Sequence, residues 1–176
     1  MAKREALREL QSRLAARLQA AMTEVPGASW LAVNCAGQGL IFPLHTAGEI
    51  FTAAGVLPVP HTQSWFLGVA NLRGGLHGVV DLGGFLGLRG KPPALDGLGE
   101  QARLLALNPA GGTHCAVLVD RLAGLRNPGQ LSRLPDEGGA RPGFAGGRYR
   151  DEQGAVWQEI DLAALARQEQ FLSIAA

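Results

Sequence analysis

The segment from Trp65 to Leu82 constrains the fold more than any other part of the sequence. Two runs rich in large apolar residues lie on either side of a polar, glycine-bounded stretch from Asn71 to Gly75. Apolar runs separated by turn residues are typical of two buried strands joined by a tight turn. Because Arg73 lies within that turn, the sequence predicts a cation displayed at the tip of a hairpin, where it is placed to contact another molecule.

The rest of the chain favours a mainly β fold. Its 176 residues allow one domain, or two tightly packed subdomains, around a substantial apolar core. The 25 glycines and 10 prolines favour short strands with tight turns over a helical bundle. Short apolar runs predict strands at 30–33, 40–44, 49–52, 56–59, 65–70, 76–80, 103–107, 113–119, 122–125, 149–150 and 156–160.

The two ends of the chain are predicted to be helical. Residues 2–22 carry leucines at 7, 10, 14 and 18, the spacing of one helix face, which indicates a surface or partner-binding helix. Near the C terminus, Asp161 can cap a closing helix over 162–170. We therefore expect an N-terminal helical extension at 1–28 and a main domain at 29–172 with a connecting loop near 89–99. A glycine-rich, charged loop is expected at 136–147.

Charge and hydropathy exclude two classes of partner. The formal net charge is +1, so the chain lacks the basic field that binds nucleic acid through its phosphates. Its sequence has no run of the ~18 apolar residues needed to cross a bilayer. We expect a cytoplasmic protein that does not insert directly into a membrane.

The search for catalytic or metal chemistry is mostly negative. Cys35 and Cys115 lie in no ligand cluster, and no histidine has a metal or general-base partner at motif spacing. No serine lies in a nucleophile elbow, and no glycine cluster forms a phosphate cradle. We predict no catalytic, metal or cofactor site and no enzymatic activity. The competing hypothesis is a β-barrel that binds a small ligand, or acts on it, with His77, Asp81 and His114 around a pocket.

The order of several motifs resembles the CheW-like chemotaxis coupling proteins. These motifs are Glu49-Ile50, Val59-Pro60, Trp65, the stretch from Gly68 to Gly74, and Asp81-Leu82. The resemblance continues more loosely at 116–120 and 156–162, and covers roughly 30–165. The helical extension, Trp65 and the ending at 171–174 most resemble the PilI branch of the family, which serves type IV pilus twitching motility.

This resemblance implies a fold and a function. The fold would be two packed five-stranded SH3-like β-barrel subdomains, completed by segments from the chain ends, with an N-terminal helix and a short C-terminal helix. The function would be a non-enzymatic adaptor or scaffold of a chemosensory array. It would couple the cytoplasmic tip of a methyl-accepting chemoreceptor to the regulatory domain of a CheA-like histidine kinase. An adaptor of a flagellar chemotaxis pathway and a pilus-system scaffold that binds only the kinase remain alternatives.

The resemblance also implies a partner-binding surface. It contains Asn71, Leu72, Arg73 and Gly74 of the turn, and Glu49 and Ile50, which match residues near the family's receptor-facing groove. Arg73 could instead form an intramolecular ion pair that braces the two barrels. Trp65 could be a lid on the core or an interface anchor. Asp81 and Asp120 each follow an apolar strand, which favours structural roles.

Overall fold

A computed structural model describes the chain at residues 2–24 and 29–176. The helices are α1 (Ala2–Glu24), α2 (Leu82–Phe85), α3 (Leu162–Leu165) and α4 (Glu169–Leu172). The strands are β1 (Trp30–Cys35), β2 (Gln38–Pro43), β3 (Ala47–Thr52), β4 (Phe66–Leu72), β5 (Gly75–Asp81), β6 (Arg103–Leu107), β7 (Cys115–Val119), β8 (Arg121–Arg126), β9 (Leu131–Arg133), β10 (Ala145–Asp151) and β11 (Val156–Ile160). None of the helices within these ranges is both long enough and apolar enough to span a membrane.

The strands form two sheets. One has six strands in the order β8-β1-β2-β11-β10-β9, and the other has five in the order β3-β6-β7-β5-β4. Neighbours are antiparallel except for the parallel pairs β2–β11 and β5–β7. The prediction of a mainly β fold with an N-terminal helix and C-terminal helical structure is confirmed. One sheet exceeds the expected five strands because three-residue β9 pairs with the edge of β10.

Each sheet takes strands from both sides of the 89–99 segment. Strands β1 and β2 lie with β8 to β11, whereas β3, β4 and β5 lie with β6 and β7. Neither sheet is therefore built from one continuous segment of the chain. The first strands after α1 complete a sheet made mainly from the C-terminal half.

The apolar core follows from this arrangement. Every residue of β6 and β7 is buried, as expected for central strands that are covered on both faces. The main cluster takes Phe42 from the six-stranded sheet and Leu105 from the five-stranded sheet, and includes Leu82 of α2 and Leu162 of α3. These four side chains are 0% exposed. The short helices thus close the core where the two sheets meet.

Three elements differ from the prediction, and one of them is strand β9, which was not predicted. Residues 56–59 do not form a strand; they contribute an isolated bridge between Leu57 and Val69. Prolines at 58 and 60 have no N–H to donate to a ladder, which explains the interruption. The closing helix is split into α3 and α4, and the Asp161 carboxylate caps α3 by accepting a 2.9 Å hydrogen bond from the Ala164 N–H. The charged loop is tied to the body by ion pairs such as Arg148–Glu137 at 2.7 Å.

Candidate functional site

The turn between β4 and β5 holds Arg73 in a defined position. Arg73 and Gly74 have φ values of +50° and +81°, so both central residues of this two-residue hairpin turn are left-handed. The Asn71 side-chain oxygen accepts a 2.9 Å hydrogen bond from the Gly74 N–H. A non-glycine residue in this conformation costs roughly 1 kcal/mol. The hairpin predicted from the sequence is therefore present, with the guanidinium extending from its tip.

Arg73 forms an ion pair with Glu49 of β3. The two side chains are 77% and 29% exposed. Glu49 lies on one edge strand of the five-stranded sheet, and Arg73 lies on the turn that joins the last two strands at the other end. The contact therefore requires a curled sheet, and it lies within one sheet rather than between the two. Exposed pairs of this kind contribute little stability, at most about 1 kcal/mol.

The other predicted site residues differ in accessibility. Asn71 and Gly74 are exposed, and Ile50 is half-buried. Leu72 is 6% exposed and packs in the core of the five-stranded sheet. The structure thus brings Glu49, Ile50 and Arg73 to one surface, while Leu72 anchors the turn from below.

Helix α1 lies beside this surface. The Ile50 N–H on edge strand β3 donates a 2.7 Å hydrogen bond to the Gln19 side-chain oxygen. Between the helix and the strand lies an open groove of about 900 Å³, lined by Gln19, Glu49, Ile50, Phe51 and Arg73 among others. Arg103 also borders the groove, but its guanidinium donates to the carbonyl oxygens of Glu100 and Ala102 at 2.8 and 2.7 Å. Burial lowers the pKa of Arg103.

A second charged cluster lies where the two sheets join. Arg89 contacts Asp120 at 2.7 Å and Asp81 at 3.3 Å. Asp120 also accepts a 2.7 Å hydrogen bond from the Ala36 N–H, which follows β1. Burial favours loss of the Arg89 proton, but the Asp120 hydrogen bond and the Asp81 charge outweigh it, so the Arg89 pKa lies above its usual value. This arrangement holds the ends of β1, β5 and β7 together.

Asp81 is the most enclosed member of that cluster. Its side chain is 0% exposed, and burial raises its pKa even though Arg89 and the nearby N–H groups of Gly84 and Gly83 act against the rise. Neither carboxylate oxygen meets hydrogen-bond geometry with another described residue. The interaction with Arg89 is therefore mainly one of charge.

The residues of the ligand-pocket hypothesis do not converge. The rings of His77 and His114 meet edge to face with centroids 5.7 Å apart, and the His77 Nδ1 atom lies 3.0 Å from the Gly75 carbonyl oxygen. Asp81 lies four residues further along β5, roughly 13 Å away at the rise of a strand, in contact with Arg89. Across residues 2–24 and 29–176, no group of three or more His, Cys, Asp or Glu side chains could hold a metal ion.

Trp65 packs on the core as a lid. Its ring meets Phe85 edge to face at 5.0 Å and stacks with Phe171 at 6.3 Å. Sequence reasoning missed two features, Arg89 and the position of α1 against β3. Arg89 lies in a glycine- and proline-rich segment with no periodic signal, and the contact between Gln19 and Ile50 spans 31 residues.

Comparisons with known proteins agree with the fold. The model of the CheW-like domain family matches residues 29–170. Protein PilI of Pseudomonas aeruginosa is 30% identical over 166 residues, which cover 93% of this chain and 89% of that protein. The crystal structure of the scaffolding protein TtCheW from Thermoanaerobacter tengcongensis superposes with a TM-score of 0.64 at 16% identity, covering 82% of this chain and 96% of that one. The chain is thus a homologue of PilI, and it belongs to the CheW-like domain family.

Proposed function

We propose that this protein is a non-enzymatic adaptor that couples the cytoplasmic tip of a methyl-accepting chemoreceptor to the regulatory domain of a CheA-like histidine kinase. The observation that carries the proposal is the exposed Arg73–Glu49 pair on a rigid turn beside an edge strand, in a chain of the CheW-like family. No cofactor is needed for this role. The protein would work in the cytoplasm, recruited to membrane-associated receptor arrays.

The geometry is suited to exchange of ion-pair partners. Arg73 is 77% exposed, so a partner carboxylate can reach its guanidinium and replace Glu49. The left-handed turn and the Asn71 hydrogen bond hold the cation in place before binding, which limits the entropy lost on association. Partner contact would involve Glu49, Ile50, Asn71, Arg73 and Gly74, with buried Leu72 as their support.

The protein would act by holding the receptor and the kinase close together. An adaptor that binds receptor and kinase together makes the kinase equilibrium depend on receptor state, provided that each partner changes the affinity for the other. Homology to PilI over 93% of the chain supports a role in a type IV pilus twitching system. A role in a flagellar chemotaxis pathway is the alternative. A neighbouring gene for a pilus-type receptor would favour the twitching system.

The test is titration calorimetry of the wild-type protein and an Arg73→Glu variant against the kinase regulatory domain and the receptor tip. The control is Arg150→Glu, the same charge reversal at an exposed arginine of the six-stranded sheet. A third variant, Arg73→Glu with Glu49→Arg, restores the internal ion pair with reversed polarity. Thermal melting of each variant shows whether folding is intact.

We expect Arg73→Glu to weaken one of the two contacts at least tenfold without a change in melting temperature, and the control to bind normally. The double variant should also fail, because a partner carboxylate would then face a glutamate. Recovery of binding in the double variant would mean that the ion pair affects binding only by stabilising the structure, and not by direct contact with the partner. Unchanged binding by every variant would contradict the role of Arg73 in partner contact, and no binding by the wild type would contradict the proposed function.

A further inference from the structure

Helix α1 does not pack on the body mainly through the leucine-bearing face that the sequence predicts as its contact face. Of the four leucines predicted to form its apolar face, those at 7, 10 and 14 are 47%, 64% and 54% exposed, whereas Leu18 is half-buried. Gln11, Ala15 and Gln19, which recur at four-residue spacing, are half-buried against the body instead. A helix that docks through amides and alanines buries little apolar surface, so its attachment is weak.

Few polar contacts join α1 to the described part of the body. They include the hydrogen bond from the Ile50 N–H to Gln19 and an ion pair between Arg8 and Glu100 at 3.3 Å, whose side chains are 68% and 38% exposed. The Gln11 side-chain oxygen is buried without a hydrogen-bond partner among the described residues. The groove of about 900 Å³ separates much of the helix from β3. Helix α1 is therefore poorly complementary to the groove.

The groove is bordered by the residues assigned to partner contact. Glu49, Ile50 and Arg73 line it together with α1. Ile50 lies on an edge strand, where main-chain N–H groups not paired within the sheet are available to another chain. In this structure the Ile50 N–H is satisfied by a helix of the same molecule.

We propose that α1 occupies the groove beside β3 in the free protein, and that a receptor helix binds in this groove. Helix α1 must then be displaced when the receptor helix binds. This inference rests on the proposed function. The incoming helix would present small side chains to the groove, as α1 does with its alanines. It would also carry an amide or carboxylate oxygen opposite the Ile50 N–H and a carboxylate within reach of Arg73.

The proposal predicts that weakening the α1 contact strengthens partner binding. The apparent dissociation constant is the intrinsic one divided by the fraction of molecules with an open groove. Loss of one neutral hydrogen bond changes such an equilibrium by roughly two- to tenfold. If α1 is docked in most molecules, affinity for the receptor tip should rise by the same factor.

The experiment compares full-length Gln19→Ala with Gln11→Ala. Both changes remove an amide from the same face of the same helix, but Gln11 accepts no hydrogen bond from the described part of the chain, so it is the matched control. Amide hydrogen exchange at Ile50 in the free protein reports docking of α1. Titration with the receptor tip and, separately, with the kinase regulatory domain reports binding.

We expect Gln19→Ala to exchange faster at Ile50 and to bind the receptor tip about three- to tenfold more tightly, with kinase affinity unchanged. Gln11→Ala removes a buried oxygen that has no hydrogen-bond partner among the described residues, so it should show neither gain. Faster exchange with unchanged or weaker receptor binding would overturn the inference and leave the adaptor function standing. Unchanged exchange at Ile50 would also overturn it, because α1 would then not protect the strand. Failure of the wild-type and Gln19→Ala proteins to bind either partner would overturn both proposals.

Discussion

At the scale of the residue, Arg89 has the largest structural role of the charged side chains described above. It contacts the carboxylate of the last residue of β5 and that of the residue after β7, and its Nη2 atom lies 3.8 Å from the Cys35 sulfur at the end of β1. A Cβ at Gly83 would lie 2.6 Å from the Arg89 Nε atom, so glycine at this position lets the guanidinium approach the α2 backbone. Arg73, by contrast, forms an exposed pair that adds little to stability.

Replacing Arg89 should strongly destabilise the fold. Arg89→Gln leaves the fully buried Asp81 carboxylate without its counter-charge, and breaking a buried pair in this way costs about 3 kcal/mol. Urea unfolding measures the loss. Arg121→Gln, at an exposed arginine of β8, is the control and should cost less than about 0.5 kcal/mol. Equal losses in the two variants would contradict the assigned role of Arg89.

The loss in Arg89→Gln should depend on pH. Burial already raises the Asp81 pKa, and removal of Arg89 raises it further. Between the unfolded pKa of about 3.9 and the raised folded pKa, the folded variant binds more protons than the unfolded chain, so its stability falls as pH rises. Urea unfolding at pH 5 and pH 8 should show the larger loss at pH 8. A loss independent of pH would mean that Asp81 does not carry the effect.

The two cysteines should be unreactive in the native protein. Burial, with a smaller contribution from Asp120, raises the pKa of Cys35 to about 11, and burial raises that of Cys115 to about 12. Because the thiolate is the reactive form, we expect labelling by Ellman's reagent at pH 8 to be at least ~100-fold slower than in denaturant. Rapid labelling of either thiol under native conditions would contradict the buried positions of these residues.

At the scale of the element, the bulge in β4 depends on one close main-chain approach. The register of β4 against β5 shifts between Phe66 and Gly68, and Gly68 has a φ of +135°. A Cβ at this position would overlap the carbonyl oxygen of Leu57. The bulge and the Leu57–Val69 bridge therefore occur together, which a sequence pattern of apolar residues does not reveal.

Gly68→Ala should be much more damaging than alanine at another left-handed glycine. Gly37 has a φ of +78°, but a Cβ there would meet nothing within 4 Å. We expect Gly37→Ala to cost about 1 kcal/mol for the backbone conformation alone, and Gly68→Ala about 3 kcal/mol or more because the clash is with main chain. Urea unfolding of the pair separates the two contributions. Equal costs would contradict the close approach of Leu57.

At the scale of the whole molecule, the two sheets share both halves of the chain. Strands β1 and β2 lie between β8 and β11, and the β3, β4 and β5 strands lie with β6 and β7. Neither half can complete a sheet alone. Cooperative unfolding of both sheets follows, because loss of one half removes partners from each.

Division of the chain at 94 should therefore yield two fragments that fold only together. Circular dichroism of 29–94 and of 95–176 should show unfolded chains, and an equimolar mixture should regain the β spectrum. As a control, a protease site inserted into the 89–99 segment of the full-length protein should be cleavable without loss of the spectrum. Independent folding of either fragment would show that the sheets are separable.

Local features of this protein were readable from its sequence. The spacing of apolar residues predicts ten of the eleven strand positions to within a few residues, and the apolar runs on either side of the turn residues 71–75 predict the hairpin. The position of Asp161 before an apolar helical pattern predicts a helix cap, which the structure confirms. Such features depend on side-chain period, turn chemistry and capping, which involve neighbours a few residues apart.

Pairings between distant residues were decided by the tertiary structure. The partner of Arg73 is Glu49, Arg89 meets Asp81 and Asp120, and the side chain of Gln19 on α1 accepts a hydrogen bond from β3. Each of these contacts depends on the path of the chain between the residues that it joins. The sequence by itself thus determined most of the strands, the hairpin and the family. The sharing of strands between sheets and the charge partners arose only when the sheets packed, because burial and curvature select contacts that local spacing does not encode.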